Sequence, residues 1–224
     1  MTGRISEHTR QRDLIVEVGR SIFDRGLTFG STGNISVRLD DGTQLMSPTN
    51  ASLGAFDPAR LALLDADGRH LSGDPPTKEA FLHGCMYCRR PQDHAVVHLH
   101  STHSVALSIL QDVDPADVLP PLTAYYVMRV GRLPLIPYFP PGDTALALAV
   151  REKAGAHHAL LLANHGPVVS GPDLRTAQYA IEELEETARL HLMLQGRSIR
   201  PLTPAQADAL RPPATGAPAK GAGR

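Results

Sequence analysis

Eleven histidines are many for a chain of 224 residues, and their placement is uneven. His98 and His100 stand two apart in Ala95-Val-Val-His-Leu-His, a run that reads as a β-strand, so both imidazoles project from one face. Val97 and Leu99 then point to the other side. Neutral imidazole is the usual nitrogen ligand for zinc and related ions, and three protein ligands leave a position open for substrate. The H-x-H pair alone fits a core-edge pair as well as a metal site. A third ligand must come from elsewhere, and His165 meets the need: it follows the apolar run Ala159-Leu-Leu-Leu-Ala and precedes Gly166, where the backbone can turn sharply. The expectation is a divalent-cation site of His98, His100 and His165, holding Zn2+, or Mn2+ or Co2+.

Glu79 is the candidate proton-handling group. It stands in Pro75-Pro-Thr-Lys-Glu, where a helix is expected to begin, and a carboxylate in a first helical turn is also favoured by the helix dipole alone. Its place shortly before the histidine-bearing strand raises the catalytic reading. Three short segments offer hydrogen-bond donors to an anion. They are the Gly30–Asn34 loop (Ser31, Gly33, Asn34), Ser47-Pro-Thr49-Asn50, and Thr77-Lys78. Backbone N–H groups in such turns can cradle a phosphate, and three clusters in one chain point to an anionic ligand more strongly than any one. The other histidines read more blandly. His103 packs or supports the platform, His157 and His158 share a solvent-facing turn, and His8, His70, His83, His94 and His191 are structural or exposed.

The elements that must position these groups follow from periodicity. Gln11–Arg25 carries one apolar helical face ending at Gly26, and the Gly30–Asn34 loop runs into an alternating strand with a hairpin turn at Asp40-Asp-Gly. A second hairpin spans Leu61–Leu71. Thr77 suits the N-cap of a helix beginning near Lys78 or Glu79 and stopped by Pro91. The His98 strand runs over 95–100; Ser101 caps a short helix 104–110. Pro-rich stretches with short apolar runs follow. Then come a helix over 144–154, a buried strand over 159–163, a continuation at Val168-Val169, and a long helix over 174–194. Hairpins flanked by helices argue for an α/β class chain, an α/β/α three-layer sandwich around a mixed, largely antiparallel sheet. One catalytic domain over 1–211 is expected, with a flexible Pro/Ala/Gly-rich tail over 212–224.

The bulk numbers narrow the function class. A net charge of -1 gives no general electrostatic reason to expect nucleic acid or an anionic membrane as partner. The first 20 residues are studded with charge, unlike a secretory leader, and no apolar stretch approaches the roughly 18 residues of a membrane span. A cytoplasmic location is expected. Cys85 and Cys88 form a C-x-x-C spacing inside a helical run with no second pair, and read as ordinary helix thiols.

Taken together, Gly33-Asn34-Ile-Ser-Val-Arg38, Ser47-Pro-Thr49, Lys78-Glu79, His98-Leu-His100 and Asn164-His165-Gly166 resemble the class II aldolase/adducin family, in family order from about residue 10 to about residue 195. The resemblance implies an α/β/α sandwich, a homotetramer with active sites at subunit interfaces, a zinc or related ion on His98, His100 and His165, and Glu79 handling protons. His98-Leu-His-Ser-Thr-His-Ser-Val-Ala-Leu, Tyr125-Tyr-Val-Met-Arg-Val-Gly and Leu162-Ala-Asn-His-Gly-Pro-Val-Val are similar to one branch, the 3-oxo-tetronate 4-phosphate decarboxylases. That branch implies loss of CO2 from a phosphorylated sugar acid to give dihydroxyacetone phosphate through an enediolate, with Lewis-acid stabilisation of the developing charge. It also suggests Tyr125, Tyr126 and Arg129 as pocket residues, with packing for at least one tyrosine. Sugar-phosphate aldolases of the family carry two serines before the acid, where this chain has Thr77-Lys78. The runner-up is nonetheless aldol cleavage of a ketose 1-phosphate such as fuculose 1-phosphate. Epimerases of this fold use Asp near the Glu79 position. A non-catalytic adducin-like scaffold has no need to keep three ligands and an acid together.

Overall fold

The structure is a computed structural model that describes residues 2–140 and 143–211; the expected tail over 212–224 lies outside the described residues. The chain opens with helix α1 (Thr2–Asp24), nine residues longer at its start than the apolar periodicity marks, and Gly26 at φ 70° follows its end. Strands β1 (Asn34–Arg38) and β2 (Gln44–Met46) form the first expected hairpin, and β3 (Ala62–Leu64) and β4 (His70–Ser72) form the second. Next come α2 (Ala80–Arg89), β5 (Ala95–His98), α3 (Thr102–Leu107), α4 (Ala124–Arg129) and β6 (Leu135–Ile136). The chain continues through α5 (Thr144–Ala154), β7 (Ala159–Leu162), β8 (Gly166–Gly171), α6 (Leu174–Met193) and α7 (Pro204–Leu210).

Among the described residues all eight strands belong to one sheet in the order β4-β3-β2-β1-β5-β8-β7-β6. Every pairing is antiparallel except that of β6 with β7. The sheet is thus mixed and largely antiparallel, as expected. Strand alternation divides its side chains between two cores. Ile35, Val37, Ala95, Val97, Leu161 and Val169 face α1, α3, α4, α6 and α7. Val96, Leu160, Leu162 and Val168 face α2 and α5, where Leu82, Met86, Leu146 and Val150 cover them. Helices therefore lie on both faces, giving the three layers. The odd–even split matters for the site: Asn34, Ser36 and His98 share the parity of Val96 and Val168, so they turn toward α2. A slip of one residue in register would send them into the larger apolar core.

Several boundaries differ from the sequence reading. The β5 ladder ends at His98 rather than at residue 100, although Leu99 N–H still donates in register to Pro167 O at 3.2 Å. Helix α2 begins at Ala80 with Glu79 in the cap position, so Thr77 does not cap it; its hydroxyl instead accepts the Glu79 N–H at 3.3 Å. Ser101 holds the cap position of α3 without a side-chain bond, and α3 starts two residues earlier than expected. The proline-rich stretch conceals α4, capped by Thr123, and α7, beyond the long helix, opens on a Thr203/Gln206 capping box. His157 and His158 are half-buried rather than solvent-facing, and His158 Nδ1 lies 3.0 Å from Ser170 O.

Candidate active site

Three tight backbone features bring the histidines together. Asn34 at the start of β1 pairs in register with His98 at the end of β5. Gly33 precedes it at φ 79°, and a Cβ there would stand 2.9 Å from His98 O. Across β5, the β7–β8 turn passes through Asn164 at φ 57°, a conformation asparagine tolerates, and then delivers His165. Gly166 follows at φ 151°, where a Cβ would come within 2.2 Å of Leu99 O. Only glycine lets the turn approach the histidine strand this closely.

The outcome is a triangle of imidazole nitrogens. His98 Nε2 lies 3.2 Å from His100 Nε2 and 3.3 Å from His165 Nε2, and the third side is 3.1 Å. His98 Nδ1 donates to Pro167 O at 2.8 Å, so in the neutral ring Nε2 carries a bare lone pair. Burial lowers the pKa of His98; burial first, then the charges of His98 and His165, push His100 down to about 4. Converging lone pairs without protons repel unless a cation lies among them. Tetrahedral bonds of about 2.0–2.1 Å to an ion place donor nitrogens about 3.3 Å apart, which is the spacing found here. Glu79 completes the donor set, with Oε1 3.0 Å from His165 Nε2 and Oε2 3.5 Å from His98 Nε2. Burial raises the Glu79 carboxyl, but the charge of His98, the hydrogen bond and charge of His165 and the Asn34 amide outweigh it. The group is held well below the usual carboxylate range.

Beside this cluster opens a cavity of about 590 Å³, sized for a small metabolite. Ser31, Gly33, Asn34, Thr49, Asn50, Thr77 and Lys78, the seven residues read as an anion cradle, all line it together with Glu79, His100 and His165. Thr77 N–H donates to Ser47 O, and Thr49 N–H to Pro75 O, which fastens two of the three segments to each other. Phe81, Tyr138, Phe139 and Leu146 form the apolar wall. Tyr125, Tyr126 and Arg129 do not line this cavity within the chain. Tyr126 is buried in the larger core, Tyr125 is exposed, and the Arg129 guanidinium stacks 5.6 Å over the Tyr125 ring and 5.4 Å over that of Tyr179.

Comparison with known proteins fits this geometry. Residues 13–192 match the class II aldolase and adducin N-terminal domain. The chain belongs to the class II aldolase/adducin family. A 3-oxo-tetronate 4-phosphate decarboxylase of Haemophilus influenzae is 50% identical over 193 residues, covering 86% of this chain and 92% of that protein. The crystal structure of Escherichia coli YgbL, described as an aldolase, epimerase or decarboxylase, superposes with a TM-score of 0.90 at 46% identity, over 92% of this chain and 99% of that one. The L-fuculose phosphate aldolase of Haemophilus influenzae is more distant, at 34% identity over 75% of this chain and 76% of its own length.

Within this class II aldolase fold, four further polar residues stand close to the site, none of which the sequence pattern assigns a role there. His83, Ser36 and Tyr87 are buried in a hydrogen-bonded run behind Asn34. His83 lies four residues after Glu79 and Ser36 two after Asn34, so helical and strand periodicity would have placed each on the site's side. Glu185 on α6 accepts the N–H groups of His103 and Ser104, the Ser104 hydroxyl and His103 Nδ1, all within 2.9 Å, and so caps α3 just beyond the histidine strand. No local sequence signal marks that pairing, which joins residues more than 80 positions apart.

Proposed function

We propose that this chain decarboxylates a 3-oxo-tetronate 4-phosphate to dihydroxyacetone phosphate and CO2, with His98, His100 and His165 holding a divalent ion, zinc, manganese or cobalt. The observation that carries the reading is the convergence of the three-histidine triangle, an ionised Glu79 and the Lys78-bearing anion cradle on one cavity. Half-identical relatives named for this reaction support the substrate. When bound, the ion would supply Lewis-acid stabilisation of the charge that develops on the substrate's C3 oxygen.

The chain's own residues account for the rest. The backbone and hydroxyl donors of the 31–34 and 49–50 segments receive the phosphate, and Lys78 pairs with an anionic end of the substrate. Scission of C1–C2 releases CO2 and leaves its electron pair as the C2–C3 enediolate; one proton at C2 completes dihydroxyacetone phosphate. Glu79, ionised at rest, takes that proton from water at the cavity mouth and passes it to C2. Phe81 and Phe139 limit the water reaching the carbanion. We read residues 1–211 as one catalytic unit, since one sheet spans β1 to β8. Free Cys85 and Cys88 suit a reducing, cytoplasmic compartment, and we infer the homotetramer with interface sites from family membership.

A coupled assay for dihydroxyacetone phosphate and CO2, with and without chelator, tests the reading. Chelator-sensitive release of both products is expected. Release of an aldehyde from fuculose 1-phosphate, with no CO2 from the acid, would move the chain to the aldolases. Protein that binds no ion and turns over neither substrate would fit the scaffold role.

A further inference from the structure

A single chain of buried hydrogen bonds runs from Glu79 into the core between the sheet and α2. Glu79 Oε2 lies 2.6 Å from Asn34 Nδ2, and Asn34 Oδ1 lies 2.5 Å from His83 Nε2. His83 Nδ1 lies 2.7 Å from Ser36 Oγ, which is in turn 2.7 Å from the Tyr87 hydroxyl. His83 and Ser36 are completely buried, so water does not offer them alternative partners.

Hydrogen-bond chemistry gives this chain one direction. A carboxylate only accepts, so the Asn34 group facing Glu79 must be the amide NH2; that same NH2 reaches Thr77 Oγ1 at 3.3 Å. Asn34 Oδ1 then faces His83 and needs a donor, which requires the Nε2–H tautomer. Burial, reinforced by the charge of His98 and opposed by that of Glu79, pushes the His83 pKa down to about 3, so the ring is neutral and Nδ1 is an acceptor. Ser36 must donate to it, and Tyr87 must donate to Ser36. Every proton points toward Glu79.

We propose that His83 is a positioning residue for the Glu79 carboxylate, acting by holding the Asn34 amide with its NH2 toward the acid. Flipped by half a turn, the amide would set its carbonyl oxygen against a carboxylate oxygen, and Glu79 would swing away from His165 and the cavity. The ring's second nitrogen is why Ser36 and Tyr87 matter: they keep His83 in the tautomer that donates to Asn34. Asn34 holds the acid, and His83 decides which way Asn34 faces. The inference rests on Glu79 as the proton-handling group, but the hydrogen-bond direction can be measured without any substrate.

The first test is 15N NMR of the histidine rings in the unmodified, metal-loaded protein. A neutral Nε2–H tautomer for His83 at pH 7 is expected; the Nδ1–H tautomer would overturn the proposal. The second compares His83→Gln, which can place an N–H near the ring's Nε2 position, with His83→Phe, which cannot. At wild-type metal content, His83→Phe should lose about 10- to 100-fold in kcat, the scale found for groups that orient a site's ligands, with KM near wild type. His83→Gln should recover most of that loss. Equal losses in both variants, or none in His83→Phe, would reduce His83 to packing. Should His83→Phe not fold, the tautomer measurement and His83→Gln decide, the latter expected to fold and to keep most of the wild-type kcat.

Discussion

At the scale of single residues, the proposed reaction divides the site's work between a group that would move a proton and a group that would recognise charge. Glu79 Oε1 lies as close to His165 Nε2 as the imidazole nitrogens lie to one another, yet three neutral histidines are enough to hold an ion. Glu79→Gln should therefore keep metal at wild-type stoichiometry by elemental analysis while kcat falls about 100- to 10,000-fold, the usual worth of a positioned acid or base. Turnover at the wild-type rate would remove Glu79 from the chemistry. Lys78 is exposed at the cavity, so its charge is available to substrate. Loss of a charge-assisted hydrogen bond of about 1.5–3 kcal/mol predicts a ten- to about a hundredfold weaker affinity for the acid in Lys78→Ala. Titrating dihydroxyacetone phosphate, which has a phosphate but no carboxylate, shows which end Lys78 holds. Unchanged affinity for it assigns Lys78 to the carboxylate, a matching loss assigns it to the phosphate, and full affinity for the acid itself removes Lys78 from recognition.

At the scale of elements, the site depends on turns more than on the strands that carry the histidines. Gly166→Ala tests this, because a Cβ there meets Leu99 O at 2.2 Å and the φ of 151° is one that side chains avoid. Strain of this kind costs about 1–3 kcal/mol, so the variant should melt lower, and since His165 and His100, on either side of this contact, are both proposed ligands, metal affinity should drop with it. Wild-type affinity at a lowered melting temperature would show that the turn serves stability alone. The same contrast explains what the sequence makes legible. Alternation in 34–38 and 95–98 and the tight Asn164-His165-Gly166 run announce where the clustered side chains sit, because strand parity and positive-φ residues leave local marks. Helix α4 leaves none: it follows a run of prolines, and only Thr123 accepting the Tyr126 N–H starts it. The Glu185 cap on α3 is equally silent, since the carboxylate comes from a distant helix. Tyr125 and Arg129, two of the pocket candidates, pair with each other rather than with the cavity, and Arg129 also stacks on Tyr179 of α6, a contact that depends on how α4 packs on α6.

At the scale of the whole molecule, folding commits imidazoles to the neutral state, and stability should carry that signature. His83 has its pKa pushed down to about 3 by burial, and His158, half-buried against Ser170 O, is lowered by the same cause. In the unfolded chain each titrates near 6.5. Between about pH 6.5 and pH 3 the unfolded state therefore binds more protons than the folded one, and unfolding free energy rises with pH across that window. The stabilising effect is fully present above pH 6.5 and is lost as pH falls through the folded values. Glu79, held below the usual carboxylate range, acts with the same sign in the acid part of the window. Urea midpoints of metal-free protein between pH 4.5 and 7.5 should accordingly decrease on acidification, and the slope should flatten in His83→Gln, which has no ring to protonate. Chelator in every sample keeps competition between protons and metal for His98, His100 and His165 out of the comparison. A midpoint that stays level from pH 6.5 to 4.5, or an unaltered slope in His83→Gln, would mean that His83 is not held neutral in the core.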